Sequence, residues 1–131
     1  MVEPICLIVD DEPAIRAHLK AILRLDRFQS LEASTAAQAL RIIQKLDGRL
    51  DLVLSGARIP GDMDGIDLAY SVRNIHPAIP FILIAGYGGD ADARRATEFQ
   101  VIEKPFMPDA ILAAARQALR RPGARAFHVC E

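Results

Sequence analysis

The sequence predicts an α/β domain, an open five-stranded parallel sheet wound with helices on both faces. Three observations carry this. Apolar strand-like runs at residues 5–9, 52–55 and 81–85 are the mark of strands buried on both faces. Segments with helical spacing alternate with them. The 131 residues are enough for one domain with one sizeable core.

Each element has its own signal. Ile5-Cys6-Leu7-Ile8-Val9 is the first strand, and Pro13 suits the first position of a helix whose stripe is Ile15, Leu19, Ile22 and Leu23. Residues 28–33 make a weaker second strand. Ser34 is expected to cap the second helix, with Ala36, Ala39, Leu40 and Ile43 on its inner side. Leu52 to Ser55 is the third strand, ending where Gly56 stands. Leu68, Val72 and Ile75 mark a third helix that stops before Pro77. Residues 81–85 form the fourth strand, Gly86, Gly88 and Gly89 loosen the chain, and Asp90 is placed at the start of a short polar helix. Val101-Ile102 is a brief fifth strand. Pro108 opens a last helix carrying Ile111, Ala114, Ala115, Ala118 and Leu119, which Pro122-Gly123 ends. Strands joined by right-handed helical crossovers give a parallel sheet. One domain is expected over residues 1–121, followed by a C-terminal tail at 122–131.

Composition narrows the function. Hydrophobic residues make up 51%, too many for a disordered chain. The formal charge is -1, from 16 basic and 17 acidic side chains, which gives no reason to expect nucleic acid or an anionic membrane as partner. The apolar runs are too short to span a bilayer, and the first residues do not read as a signal peptide. Two cysteines, Cys6 in an apolar strand and Cys130 near the end, are not a disulfide framework, so a cytoplasmic location is expected, with Cys6 a core thiol.

In such a sheet the loops after the strands' C-terminal ends gather at one edge, where ligands bind. The first strand delivers Asp10-Asp11-Glu12 there, the third Gly56, the fourth Ala85 and the fifth Glu103-Lys104-Pro105-Phe106. Adjacent carboxylates can hold a hard divalent cation such as Mg²⁺, and a lysine can neutralise a phosphoryl group. The same residues can instead cap the first helix and form an ion pair. Residue types alone favour that plainer alternative.

The spacing changes the weighting. "LIVDDEPAIR", "FQSLEASTAAQAL", "DLVLSGARIPGDMDGIDLA", "PFILIAGYG" and "EKPFMPDAIL", in this order, resemble the receiver domain of two-component response regulators over about residues 4–120. The resemblance implies a flavodoxin-like, three-layer fold. The "PGDMDG" loop is similar to the variant with one extra residue found in receivers that accompany sensor histidine kinases. In the family the third strand ends in an aspartate that accepts a phosphoryl group from a kinase histidine. An acidic pair helps bind Mg²⁺, a Thr or Ser ends the fourth strand, and the lysine of a Lys-Pro pair contacts the phosphoryl group. Asp10, Asp11 and Lys104 match, and the resemblance implies a cis peptide between Lys104 and Pro105. Gly56 stands at the phosphoacceptor position, Ala85 at the hydroxyl position and Val101 at the position of a frequent aromatic. Gly56 offers no nucleophile and Ala85 no hydroxyl, so the resemblance implies a pseudo-receiver. Any Mg²⁺ at Asp10 and Asp11 is expected to be weak, because one anionic ligand is missing.

Other signals have plainer explanations. Asp62 and Asp64 lie close enough in sequence to Gly56 to be substitute acceptors or ligands, but such residues more often solvate a turn. Asp51 starts the third strand at its far end. The glycines around Tyr87 lack phosphate-loop spacing. His18, His76 and His128 read as surface residues, and His128 with Cys130 is weak as a metal pair. Arg94, Arg95, Arg120, Arg121 and Arg125 read as a solvated face or a docking patch, and direct promoter binding through a helix-turn-helix is not expected. The expectation is a non-enzymatic, single-domain signalling protein that binds a histidine kinase, another receiver or a second copy of itself. One alternative is a true phosphoacceptor using Asp62 or Asp64 with Mg²⁺. Another is a small-ligand sensor in the vacated pocket.

Overall fold

The computed structural model describes residues 3–86 and 98–120. The elements run β1 (Ile5–Val9), α1 (Pro13–Arg24), β2 (Gln29–Ala33), α2 (Ala36–Lys45), β3 (Leu52–Gly56), α3 (Gly65–Ile75), β4 (Phe81–Ala85), β5 (Gln100–Glu103) and α4 (Pro108–Leu119). All strand pairs are parallel, in the order β2-β1-β3-β4-β5. The α/β class expected from alternating runs and stripes is the one observed.

The strand period of two divides the apolar residues between two cores. Leu7, Val9, Val53, Phe81 and Leu83 face α2 and α3, meeting Ala39, Ile43, Ala69 and Val72. Cys6, Ile8, Leu52, Leu54, Ile82 and Ile84 face α1 and α4, meeting Leu19, Leu23, Ile111 and Ala115. Both faces of β3 and β4 are therefore covered, and every residue of the two strands is buried.

Several boundaries differ from expectation. The N-cap of α2 is Thr35, one residue beyond Ser34: its Oγ1 accepts from the Gln38 N–H at 3.1 Å. Gln38 Oε1 in turn accepts from the Ser34 N–H and hydroxyl, each at 2.8 Å, so Ser34 donates to the Gln38 side chain where it was expected to accept as a cap. Strand β2 starts at Gln29, because the Phe28 N–H is taken by the Leu23 carbonyl in the turn leaving α1. Strand β3 includes Gly56, and β5 is longer than Val101-Ile102 by one residue at each end. The helix expected after Asp90, the glycines at 88–89, Arg94, Arg95 and the tail lie outside the described residues.

Candidate functional site

The C-terminal strand ends bring Asp10, Gly56, Ala85 and Lys104 to one edge of the sheet. Asp10 follows β1 and keeps only 4% of its surface exposed. Its Oδ1 accepts from the Glu12 N–H at 2.9 Å, which ties the carboxylate to the entry of α1. A Cβ on Gly56 would sit 3.0 Å from Asp10 Oδ2, 3.5 Å from Ile59 Cγ2 and 3.7 Å from the Arg58 carbonyl oxygen. Burial pushes the Asp10 carboxyl above its ordinary pKa. The Glu12 hydrogen bond and the Lys104 charge pull it the other way, while Asp11 and Glu12 add to the rise.

Lys104 is half-buried, and its backbone N–H donates to the Ala85 carbonyl at 3.0 Å, so the ends of β4 and β5 are joined. The Lys104–Pro105 peptide is cis, as the resemblance implied. Its side chain makes no ion pair among the described residues, which departs from the plain ion-pair reading. Asp11 is exposed and does not cap α1, whose N-cap is Glu12 without a side-chain cap bond. Ala85 is fully buried, and Val101 is half-buried against the α2/α3 core.

The remaining candidates fall into place one by one. Asp64 is the N-cap of α3: its Oδ1 accepts from the Asp67 N–H at 2.9 Å and Asp67 Oδ2 accepts from the Asp64 N–H at 3.1 Å. This reciprocal box holds its carboxylate at the helix start. Asp62 is exposed on the loop before α3. Asp51 is buried at the opposite edge, where its Oδ2 accepts from the Ile5 N–H at 2.8 Å. His18 is exposed but stacks on Phe106, with centroids 5.5 Å apart, linking α1 to the segment after Lys104. The groove of about 640 Å³ lined by Glu32, Arg41 and Lys45, and one of about 450 Å³ between α2 and α3, do not reach Gly56.

Two residues of this edge escaped the sequence reading. Arg16 Nη1 donates to the Asp10 carbonyl at 2.7 Å while its Nε donates to Glu32 at 3.0 Å, so it clasps β1, α1 and β2 together. Its signal was its place one turn after Pro13. The other is Gly65, where any Cβ would collide with the Gly56 carbonyl oxygen. The start of α3 lies directly on the β3 backbone, with the Gly65 N–H donating to Ala57 at 3.0 Å. The run of turn residues Pro60, Gly61, Asp62, Asp64 and Gly65 hinted at a tight loop without showing what it packs on.

The sequence and the fold both find relatives. The family model for the response regulator receiver domain matches residues 6–116. Sensor kinase CckA of Brucella abortus is 33% identical over 118 residues, which is 88% of this chain and 12% of that protein. The receiver domain of NtrX from Brucella abortus superposes with a TM-score of 0.82 at 31% identity, covering 89% of this chain and 99% of that one. A response regulator receiver domain protein from Clostridium thermocellum gives a TM-score of 0.83 at 26% identity, covering 90% and 95%. The chain spans 12% to 26% of the first three curated relatives it matches. No helix among the described residues is long and apolar enough to cross a membrane. On the family match, which takes in both the Asp10 and the Lys104 ends of the site, the chain belongs to the response regulator receiver domain family.

Proposed function

We propose that this receiver domain acts in two-component signalling by binding a protein partner without being phosphorylated at the usual position. The observation that carries this is Gly56 at the end of β3, beside Asp10 and with Ala85 ending the neighbouring strand. The family's acceptor position then has no carboxylate, and its hydroxyl position has only a methyl group. The two losses belong together, because a ligand shifts a conformational equilibrium only through different affinity for the two states. A hydroxyl that reads a phosphoryl group has nothing to read at glycine. The domain is in this reading a binding module, cytoplasmic, and neither an enzyme nor a nucleic-acid binder, although some curated relatives are named transcriptional regulatory proteins. Its partner is a histidine kinase, another receiver or a second copy of itself.

The experiment is incubation with a small phosphodonor and Mg²⁺, followed by intact-mass measurement and peptide mapping. The expected result is an unchanged mass. An adduct of about 80 Da, one phosphoryl group, on Asp62 or Asp64 would overturn the proposal and make the chain a true phosphoacceptor. The Asp64 helix cap speaks against that residue, since its Oδ1 is already engaged.

A further inference from the structure

The family implies a Mg²⁺ ion at this edge, and the residues present do not fit it. Mg²⁺ demands near-octahedral oxygen geometry and is reluctant to shed its water, so it needs well-placed anionic ligands. Asp10 has one oxygen committed to the Glu12 N–H, and its other stands 3.0 Å from where a Cβ on Gly56 would be. Asp11 is exposed, and the Arg58 carbonyl oxygen lies 3.7 Å from the vacated Cβ position. Among the described residues, no group of three or more His, Cys, Asp or Glu side chains is arranged to hold a metal.

We infer that the pocket at Gly56 is closed to divalent cations and that the Lys104 ammonium is its standing positive charge. Lys104 is held at this edge by its backbone bond to Ala85, half-buried, and without an ion-pair partner among the described residues. Its charge is felt at Asp10, where it opposes the effect of burial. This edge carries the Asp10 and Asp11 carboxylates and the Lys104 ammonium. A divalent cation entering there would meet the repulsion of Lys104 without the third carboxylate that a receiver's acceptor aspartate supplies. The Lys104 ammonium therefore offsets part of the negative charge, and as a side chain it does not dissociate. This concerns the same site as the proposed function but stands on a separate measurement.

The test uses Mn²⁺ as a paramagnetic probe on the full, ¹⁵N-labelled chain. In the wild type, the amides of Asp10, Asp11, Ala57 and Arg58 should show no selective broadening at Mn²⁺ concentrations that saturate Gly56→Asp. Lys104→Met should gain Mn²⁺ affinity by on the order of tenfold, because removing a nearby positive charge favours a cation. Selective broadening in the wild type at the midpoint found for Gly56→Asp would overturn the inference. An unchanged Mn²⁺ response in Lys104→Met would overturn the assignment of Lys104. Should Gly56→Asp not fold, the wild type and Lys104→Met are compared directly, and selective wild-type broadening or an unchanged Lys104→Met response still overturns the inference. Mn²⁺ binding by the wild type would refute this inference while the mass measurement still decides phosphorylation.

Discussion

At Asp10 the domain keeps a carboxylate whose charged form is penalised relative to water. Burial is the main cause of the raised pKa, and the Lys104 charge offsets it only in part. The sign follows from linkage. A carboxyl whose folded pKa lies above its unfolded value of about 3.9 binds its proton more tightly in the folded protein. Stability therefore falls as pH rises from the unfolded pKa through the raised folded one, then levels. Asp10→Asn removes this loss, while its amide oxygen can still accept from the Glu12 N–H. Urea unfolding should show the variant more stable than the wild type at neutral pH, with the gap closing in acid. A variant less stable at neutral pH would mean that the Asp10 charge is held by Lys104 more strongly than burial opposes it. Glycine at position 56 was legible from the sequence, because it ends an apolar strand run. The Gly65 contact was not, since only the folded chain brings the start of α3 onto the Gly56 carbonyl. Cys6 needed only its apolar neighbours, and its burial pushes the thiol pKa far up, as an inert core thiol requires.

Among the elements, helix starts show where local chemistry decides and where it does not. Pro13 and Pro108 each sit in the first turn of a helix, where a missing N–H costs nothing, and both starts were readable. At α2 the cap was expected at Ser34, although Thr35 beside it also carries a hydroxyl, and residue type alone does not separate the two. The backbone does, since Thr35 has the extended conformation and the Gln38 N–H as donor. Thr35→Ala should therefore cost about 1 kcal/mol in urea unfolding, and Ser34→Ala clearly less. Equal losses would show that the reciprocal Gln38 bonds to Ser34 matter as much as the cap. Helix α3 is constrained from the other direction. Gly65→Ala forces a methyl group into the β3 backbone, so α3 must shift, at about 1–3 kcal/mol. Helix propensity alone would predict a gain for the same change, so the sign of the effect separates contact from propensity.

For the whole molecule, the parallel order β2-β1-β3-β4-β5 was legible as a class because buried strands write continuous apolar runs. How the strand ends communicate is a property of the assembled sheet. Lys104 hangs from Ala85 by its backbone, and Phe106 carries the same segment to His18 on α1. Lys104 shares the edge at Gly56, whereas a signal written at β3 would have to cross β4 to reach β5 and Phe106. Gly56→Asp alone should therefore restore divalent-cation binding but little switching. Three carboxylates would then share one small pocket, so the metal-free variant should lose stability through repulsion, with Asp10 Oδ2 only 3.0 Å from the new Cβ. Replacing glycine in ordinary extended backbone offsets this by about 0.5–1 kcal/mol. Adding Ala85→Thr supplies the missing hydroxyl, at a cost of about 1–3 kcal/mol, because Ala85 is fully buried and two more heavy atoms must be packed. The measurement is a set of amide spectra for both variants with Mg²⁺, with and without beryllofluoride. The double variant should show changes spreading from β3 through β4 to β5 and Lys104, and the single variant changes confined to residues near 10, 56 and 58. If the single variant already shifts β5 and the Lys104–Phe106 segment, the relay runs through the carboxylate alone, and Ala85 is not what limits switching.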